Sequence, residues 1–72
     1  MNADDSFDDL HRAMAGFLIC LGSTLPKELA EKIATRMVAL AGEMEHGGET
    51  SVATLTKGFA EALLLRHAHS QH

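Results

Sequence analysis

The sequence predicts an all-α protein, a small three-helix up-down-up bundle with helices over about residues 6–21, 25–46 and 50–68. Apolar residues recur at intervals of three and four in three separate stretches, which is the spacing of one helix face. Two breaks containing glycine or proline separate these stretches, and no stretch alternates apolar and polar residues as a half-buried strand would. Because both connections are short, consecutive helices are expected to be antiparallel neighbours.

The first helix has a start signal, an apolar stripe and a predicted stop. Ser6 and Asp9 have the spacing of a loose capping box, and further aspartates beside them suit the positive end of the helix dipole. Gly22 is the predicted stop, since glycine commonly follows the last turn of a helix. The apolar stripe consists of Phe7, Leu10, Met14, Phe17, Leu18 and Leu21.

The second helix is predicted to begin at about residue 25, after the break "GST", and to end at "HGG". Ser23 or Thr24 is the expected N-cap, and Pro26 suits the first turn, where its missing N–H is not needed. The stripe of this helix consists of Leu29, Ile33, Met37, Leu40 and Met44.

The third helix is predicted to begin at an N-cap supplied by Thr50 or Ser51. Its stripe consists of Val52, Leu55, Phe59, Ala62 and Leu63. The whole chain is expected to be one domain, with frayed ends over residues 1–5 and 70–72.

The small size of the chain favours self-association, most simply as a homodimer. At 72 residues a single core is only marginally sufficient, and the sequence has no Trp and no Tyr. One cysteine excludes an intrachain disulfide and a Cys-x-x-Cys metal site. The core is expected to consist of Phe7, Met14, Phe17, Leu29, Ile33, Met37, Leu40, Leu55, Phe59 and Leu63.

Some apolar residues fall outside these stripes and indicate an interface. In the first helix Ile19 points away from the centre of the stripe, and in the third helix Leu64 and Leu65 lie off it. The carboxyl ends of these two helices lie at the same end of an up-down-up bundle, so the residues are expected to converge. The predicted interface consists of Ala15, Gly16, Ile19, Cys20, Leu25, Leu64 and Leu65. The alternative is that the additional apolar residues only enlarge a small core.

The histidine-rich end "RHAHSQH" is the densest group of potential metal ligands, with His67, His69 and His72. On a helix the rings of a His-x-His pair diverge by about 200°, and no acidic residue lies nearby to complete a site. Glu43 and His46 have the spacing used in carboxylate-bridged dimetal bundles, but the chain has one such pair where that site needs two. A metal-binding bundle is therefore the weakest hypothesis, and no cofactor is expected.

Catalysis is not expected either. Cys20 lies at the carboxyl end of a helix among apolar residues, where the dipole opposes a thiolate, so it is interpreted as a small packing residue. The sequence has no glycine-rich phosphate loop after a strand and no nucleophile elbow.

The function that remains is a small acidic protein–protein interaction module, an adaptor, subunit or regulator that self-associates. Its alternative is a DNA-binding helix-turn-helix protein, since a glycine-containing turn joins the second and third helices. Lys57 and Arg66 would then contact DNA, but Glu61 lies among them and the formal net charge of −4 repels phosphate. No apolar run is long enough to span a membrane, and a single thiol without an export signal favours the cytoplasm.

Overall fold

A computed structural model describes the backbone of residues 3–69 and the side chains of residues 7–68. It contains three helices, α1 (Ala3–Thr24), α2 (Lys27–His46) and α3 (Thr50–His69), and no strand within the described residues. The predicted all-α three-helix fold is therefore confirmed. Helix α1 begins earlier than predicted, and the parts of the predicted frayed ends at residues 1–2 and 70–72 lie outside the described residues.

Helix α1 does not stop at Gly22, as the sequence predicts, but continues through it to Thr24. Gly22 has an ordinary negative φ, so it is not acting as a left-handed helix stop. The helix ends because proline disfavours the helical conformation of the residue before it, here Leu25. The hydroxyls of Ser23 and Thr24 donate to the carbonyl of Cys20 at 3.0 and 2.8 Å. They therefore complete the end of α1, and the prediction that one of them caps α2 is wrong.

Pro26 also leaves a carbonyl of α1 without its usual donor. In a continuing helix the Gly22 carbonyl would accept from the N–H of residue 26, and proline has none. The structure supplies the donor from another helix, because Nε2 of His67 lies 2.8 Å from the Gly22 oxygen. His67 near the end of α3 thereby caps the end of α1.

Helix α2 ends in a Schellman motif, as glycines after a helix favour. Gly48 has a φ of +86°, a conformation in which a side chain would be strained. The Gly48 N–H donates to the Glu45 carbonyl at 3.0 Å, and the Glu49 N–H donates to the Met44 carbonyl at 2.8 Å. The chain then reverses directly into α3.

Helix α3 lies at the centre of the molecule and packs against both other helices, whereas α1 and α2 scarcely touch each other. The expectation that every pair of consecutive helices packs side by side is therefore wrong for α1 and α2. The result is a shallow layer, only 17 Å along its shortest axis. The radius of gyration is 13.3 Å, against about 11 Å for a compact chain of this length.

Small residues form the two seams between the helices. Leu63 is the one large side chain that is fully buried within the described residues, and the other buried apolar residues are alanines. Small side chains let helix backbones approach closely, and at Gly22 a Cβ atom would lie 1.8 Å from the Leu63 carbonyl oxygen. The buried alanines are Ala30, Ala34, Ala41, Ala53 and Ala60.

Most of the predicted core is wrong for a single chain. Leu63 is buried as predicted, and Met37, Leu55 and Phe59 are half-buried. The prediction fails because α1 and α2 are rotated about their axes: each turns its small-residue side, and not its widest apolar stripe, toward α3. The predicted core residues that are exposed are Phe7, Met14, Phe17, Leu29, Ile33 and Leu40.

Candidate protein-interaction surface

The large apolar side chains of α1 lie beside its seam with α3 rather than in it. That seam involves Gly22 against Leu63, and His11, whose ring centroid lies 5.3 Å from that of Phe59. At 100° per residue, Leu10 and Phe17 point about 110° away from the direction of Gly22 and His11. Phe17 is consequently 59 % exposed and Leu10 is 62 % exposed.

Helix α2 is rotated in the corresponding way. Its seam with α3 is made by Ala34 and its neighbouring alanines, whereas Ile33 and Leu40 point about 90° away from that seam. Because α1 and α2 run in opposite directions on the two sides of α3, these similar rotations turn both sets of apolar side chains to the same broad side of the layer.

We call this surface the apolar face. Every member is a large apolar side chain that is exposed in the single chain. Its members are Phe7, Leu10, Met14, Phe17 and Leu21 of α1, Leu29, Ile33 and Leu40 of α2, and Val52 of α3.

The apolar face has relief. Where α1 meets the first half of α3, a small hollow opens whose lining is entirely apolar apart from His11. Its other lining residues are Phe7, Leu10, Met14, Leu55 and Phe59. The Phe17 ring stands beyond this hollow, one to two helical turns further along α1. The same surface therefore carries a projection and a depression.

On α1 and α2 the charged residues lie at the edge of the apolar face or on the side of the helix that points away from it. In α1, Asp8 and Arg12 form an ion pair at 3.7 Å on the far side of the helix. In α2, Arg36 and Glu43 point within about 60° of the face and are the nearest charges to it on that helix. They have opposite signs and lie at its rim.

The opposite side of the layer is more polar. There, α2 and α3 enclose an open groove of about 510 Å³ that brings together Val38, Leu64 and charged residues from both helices. Glu31, Lys57 and Glu61 line it, and Lys57 also forms an ion pair with Glu45.

The residues of the predicted interface differ in their surroundings. Leu64 is half-buried, packs against the core cluster and lines the α2–α3 groove, whereas Ile19 is half-buried on the flank of α1. Cys20 and Leu65 are exposed, and Gly16 has open space where a Cβ atom would lie. Ala15 and Leu25 are half-buried. Cys20 is therefore not the packed residue that the sequence suggests, and the use of this set as an interface stays a prediction.

The candidate metal ligands are distributed without convergence. Among the side chains described, no three His, Cys, Asp or Glu residues lie close enough together to hold a metal ion. His67 is engaged with Gly22, and Glu43 and His46 are exposed at the end of α2. The side chain of His69 and all of His72 lie outside the described side chains.

The turn that joins α2 and α3 does not present α3 as a protruding helix. Both long sides of α3 are packed, and the strip left exposed carries Thr54, Gly58, Glu61 and Leu65. Lys57, a predicted DNA contact, is held by Glu45 of α2.

The signal for the true packing sides is present in the sequence but is easily outweighed. Alanines at positions 30, 34 and 41, and at 53 and 60, repeat at intervals of four and seven, which marks one side of each helix. Large apolar residues form a wider and stronger pattern, so periodicity assigns the packing side of each helix to them instead of to the alanines.

None of the helices, over the part of the chain that the structure describes, is both long and apolar enough to cross a bilayer. Comparison with protein-family models, with curated proteins and with solved structures gives no match for this chain.

Proposed function

We propose that this protein is a protein–protein interaction module that works as a self-associated assembly. One observation carries the proposal: the fully buried side chains are small apart from Leu63, while more than half of the large apolar side chains described are exposed on the surface of the single chain. A contiguous apolar surface of this kind on a small domain is characteristic of a protein-binding site.

The total surface of the chain supports the same proposal. A compact monomer of 7.7 kDa has an accessible surface of about 4,300 Å², whereas this chain exposes 5333 Å². The excess of roughly 1,000 Å² is close to what one partner loses in a standard protein interface. An adaptor, a subunit of a larger assembly or a regulator would use such a surface, and the free thiol of Cys20 suits the reducing environment of the cytoplasm.

The proposal is tested by measuring the molar mass of the full chain by light scattering from about 1 to 300 µM, a range in which interfaces of ordinary strength assemble. We expect at least twice the chain mass of 7.7 kDa at the upper end of the range. A single-chain mass throughout, with the helical circular-dichroism spectrum intact, would contradict it.

A parallel measurement separates this function from DNA binding. We expect no retardation of a mixed-sequence duplex in electrophoresis at low salt, because the chain carries a formal charge of −4. Retardation that disappears on adding salt would favour the DNA-binding alternative instead.

A further inference from the structure

We propose that the occupant of the apolar face is a second copy of this chain, docked face to face. In the resulting dimer the two three-helix layers stack, and the large side chains of α1 and α2 from both copies lie between them. The inference rests on the proposed self-association and adds the surface, the occupant and the arrangement.

The area of the apolar face matches what a stable dimer needs. Its nine exposed side chains present on the order of 800 Å² of apolar surface, taking their fractional exposures and ordinary side-chain areas. A standard interface buries about 800 Å² on each partner. Face-to-face docking of two copies would therefore complete one interface of standard size, without any additional protein.

The relief of the face is suited to docking against itself. A two-fold interface uses the same patch on both copies, so the patch must carry both projections and the depressions that receive them. The apolar face carries the exposed Phe17 ring of α1 and, between α1 and α3, the hollow lined in part by Phe59 and Leu55. No second surface is needed to complement it.

The charge distribution permits the association of two acidic chains. The formal charge of −4 on each copy opposes their approach, but salt screens this repulsion within about 10 Å at 0.1 M. The centre of the apolar face buries no charge, so docking carries no large desolvation penalty. Arg36 and Glu43 at the rim keep contact with water, where unpaired charges cost little.

The small monomer core provides an independent reason for a second copy. Among the described residues only five alanines and one leucine are fully buried apolar side chains, and chains of this size commonly require a further source of stability. Dimerisation through the apolar face would bury the side chains that normally form a core. The thermal midpoint of the protein is then expected to rise with its concentration.

Two neighbouring positions on α2 give a matched test. Leu40 is 48 % exposed on the apolar face, and Val38 is 49 % exposed in the groove on the opposite side. Leu40→Glu and Val38→Glu therefore introduce the same charge at equal exposure on the same helix. We expect Leu40→Glu to weaken dimerisation at least about 100-fold, because docking would bury an unpaired carboxylate. Val38→Glu should change it less than about 3-fold.

Sedimentation equilibrium of both variants and the wild type, with helix content from circular dichroism, distinguishes the outcomes. A dimeric Leu40→Glu beside a monomeric Val38→Glu would overturn the proposed face while leaving self-association in place. A wild type that is monomeric and fully helical at 300 µM would remove both proposals.

If Leu40→Glu loses its helix content, the concentration dependence of the wild-type thermal midpoint still tests the proposal. If folding depends on dimerisation through this face, the thermal midpoint of the wild type rises with concentration and Val38→Glu retains its helix content. A concentration-independent wild-type midpoint would contradict the proposal. Phe17→Glu, on the other helix of the face, should repeat the result of Leu40→Glu.

Discussion

The seams around α3 and the apolar face differ in what their side chains do. The seams use alanine and glycine, so the backbones of neighbouring helices come close, and Leu63 fills the centre with partly buried Leu18, Met37 and Leu64 packed around it. The apolar face carries phenylalanine, leucine, isoleucine and methionine side chains that stay 37–62 % exposed in the single chain. Close approach fixes how the helices are arranged, whereas large apolar area supplies most of the burial free energy. In this protein the seams provide the close approach of the helices, and the apolar face provides the large apolar area.

The largest expected effect breaks a seam at its closest point. Gly22→Ala places a Cβ atom 1.8 Å from the backbone oxygen of Leu63 in α3. Because the clash is with helix backbone, it cannot be relieved by rotating a flexible side chain. We expect a loss of about 4 kcal/mol or more in the free energy of unfolding, above the usual range for an overpacked core. Urea denaturation followed by circular dichroism measures it.

Gly16→Ala is the matched control on the same helix. Nothing lies within 4 Å of a Cβ atom built at Gly16, so the substitution should stabilise the protein by about 0.5–1 kcal/mol through helix propensity. Equal effects of the two substitutions would show that Gly22 is not at a close contact.

A second comparison sets the buried leucine against an exposed one. Leu63→Ala should destabilise the protein by about 3 kcal/mol at every protein concentration, because it opens a cavity between α1 and α3. Leu10→Ala removes an equal side chain from the apolar face and should weaken mainly the dimer. Denaturation curves at two protein concentrations, tenfold or more apart, separate these effects. If the effect of Leu10→Ala does not depend on protein concentration, Leu10 is not part of the dimer interface.

A smaller effect tests the link between α1 and α3. His67→Ala leaves the Gly22 carbonyl without the donor that replaces the missing N–H of Pro26. We expect a loss of about 1 kcal/mol, the ordinary contribution of one hydrogen bond. A His67→Gln variant, which keeps a donor, should recover part of it in the same denaturation experiment. Failure of glutamine to recover any stability would indicate that the ring acts through packing alone.

The smallest effect belongs to the outer surface. Lys57 and Glu45 join α3 to α2 by an ion pair in which both side chains are almost half exposed. Lys57→Met should change the free energy of unfolding by less than about 1 kcal/mol, because exposed ion pairs are screened. A change larger than this in the free energy of unfolding would contradict the expectation that the Lys57–Glu45 ion pair contributes little to the stability of the fold.

The sequence predicts the helices well because its breaks are local. Pro26 and the Gly47–Gly48 pair end or begin helices by their own backbone chemistry, which needs no tertiary information. The sequence fails on the rotation of each helix about its axis. Phe17 has the periodicity of a core residue whether its cover comes from the same chain or from another one, and periodicity cannot distinguish the two.

Gly22 shows the same limit at a single position. A glycine near a helix end is a plausible stop, and only the position of the Leu63 carbonyl shows that it marks a close approach of two helices. The interface expected around Ile19, Leu64 and Leu65 stays a prediction, and the structure adds only that Leu64 lines the groove between α2 and α3 while Ile19 is half-buried on α1.

The most direct test of the central claim is an isotope-filtered nuclear Overhauser experiment on the full chain, with labelled and unlabelled copies mixed at equal concentration. We expect intermolecular cross-peaks from the Phe17 ring to leucine and isoleucine methyl groups of the apolar face on the other copy. Intermolecular cross-peaks confined to Val38 and Leu65, on the opposite side of the layer, would contradict it.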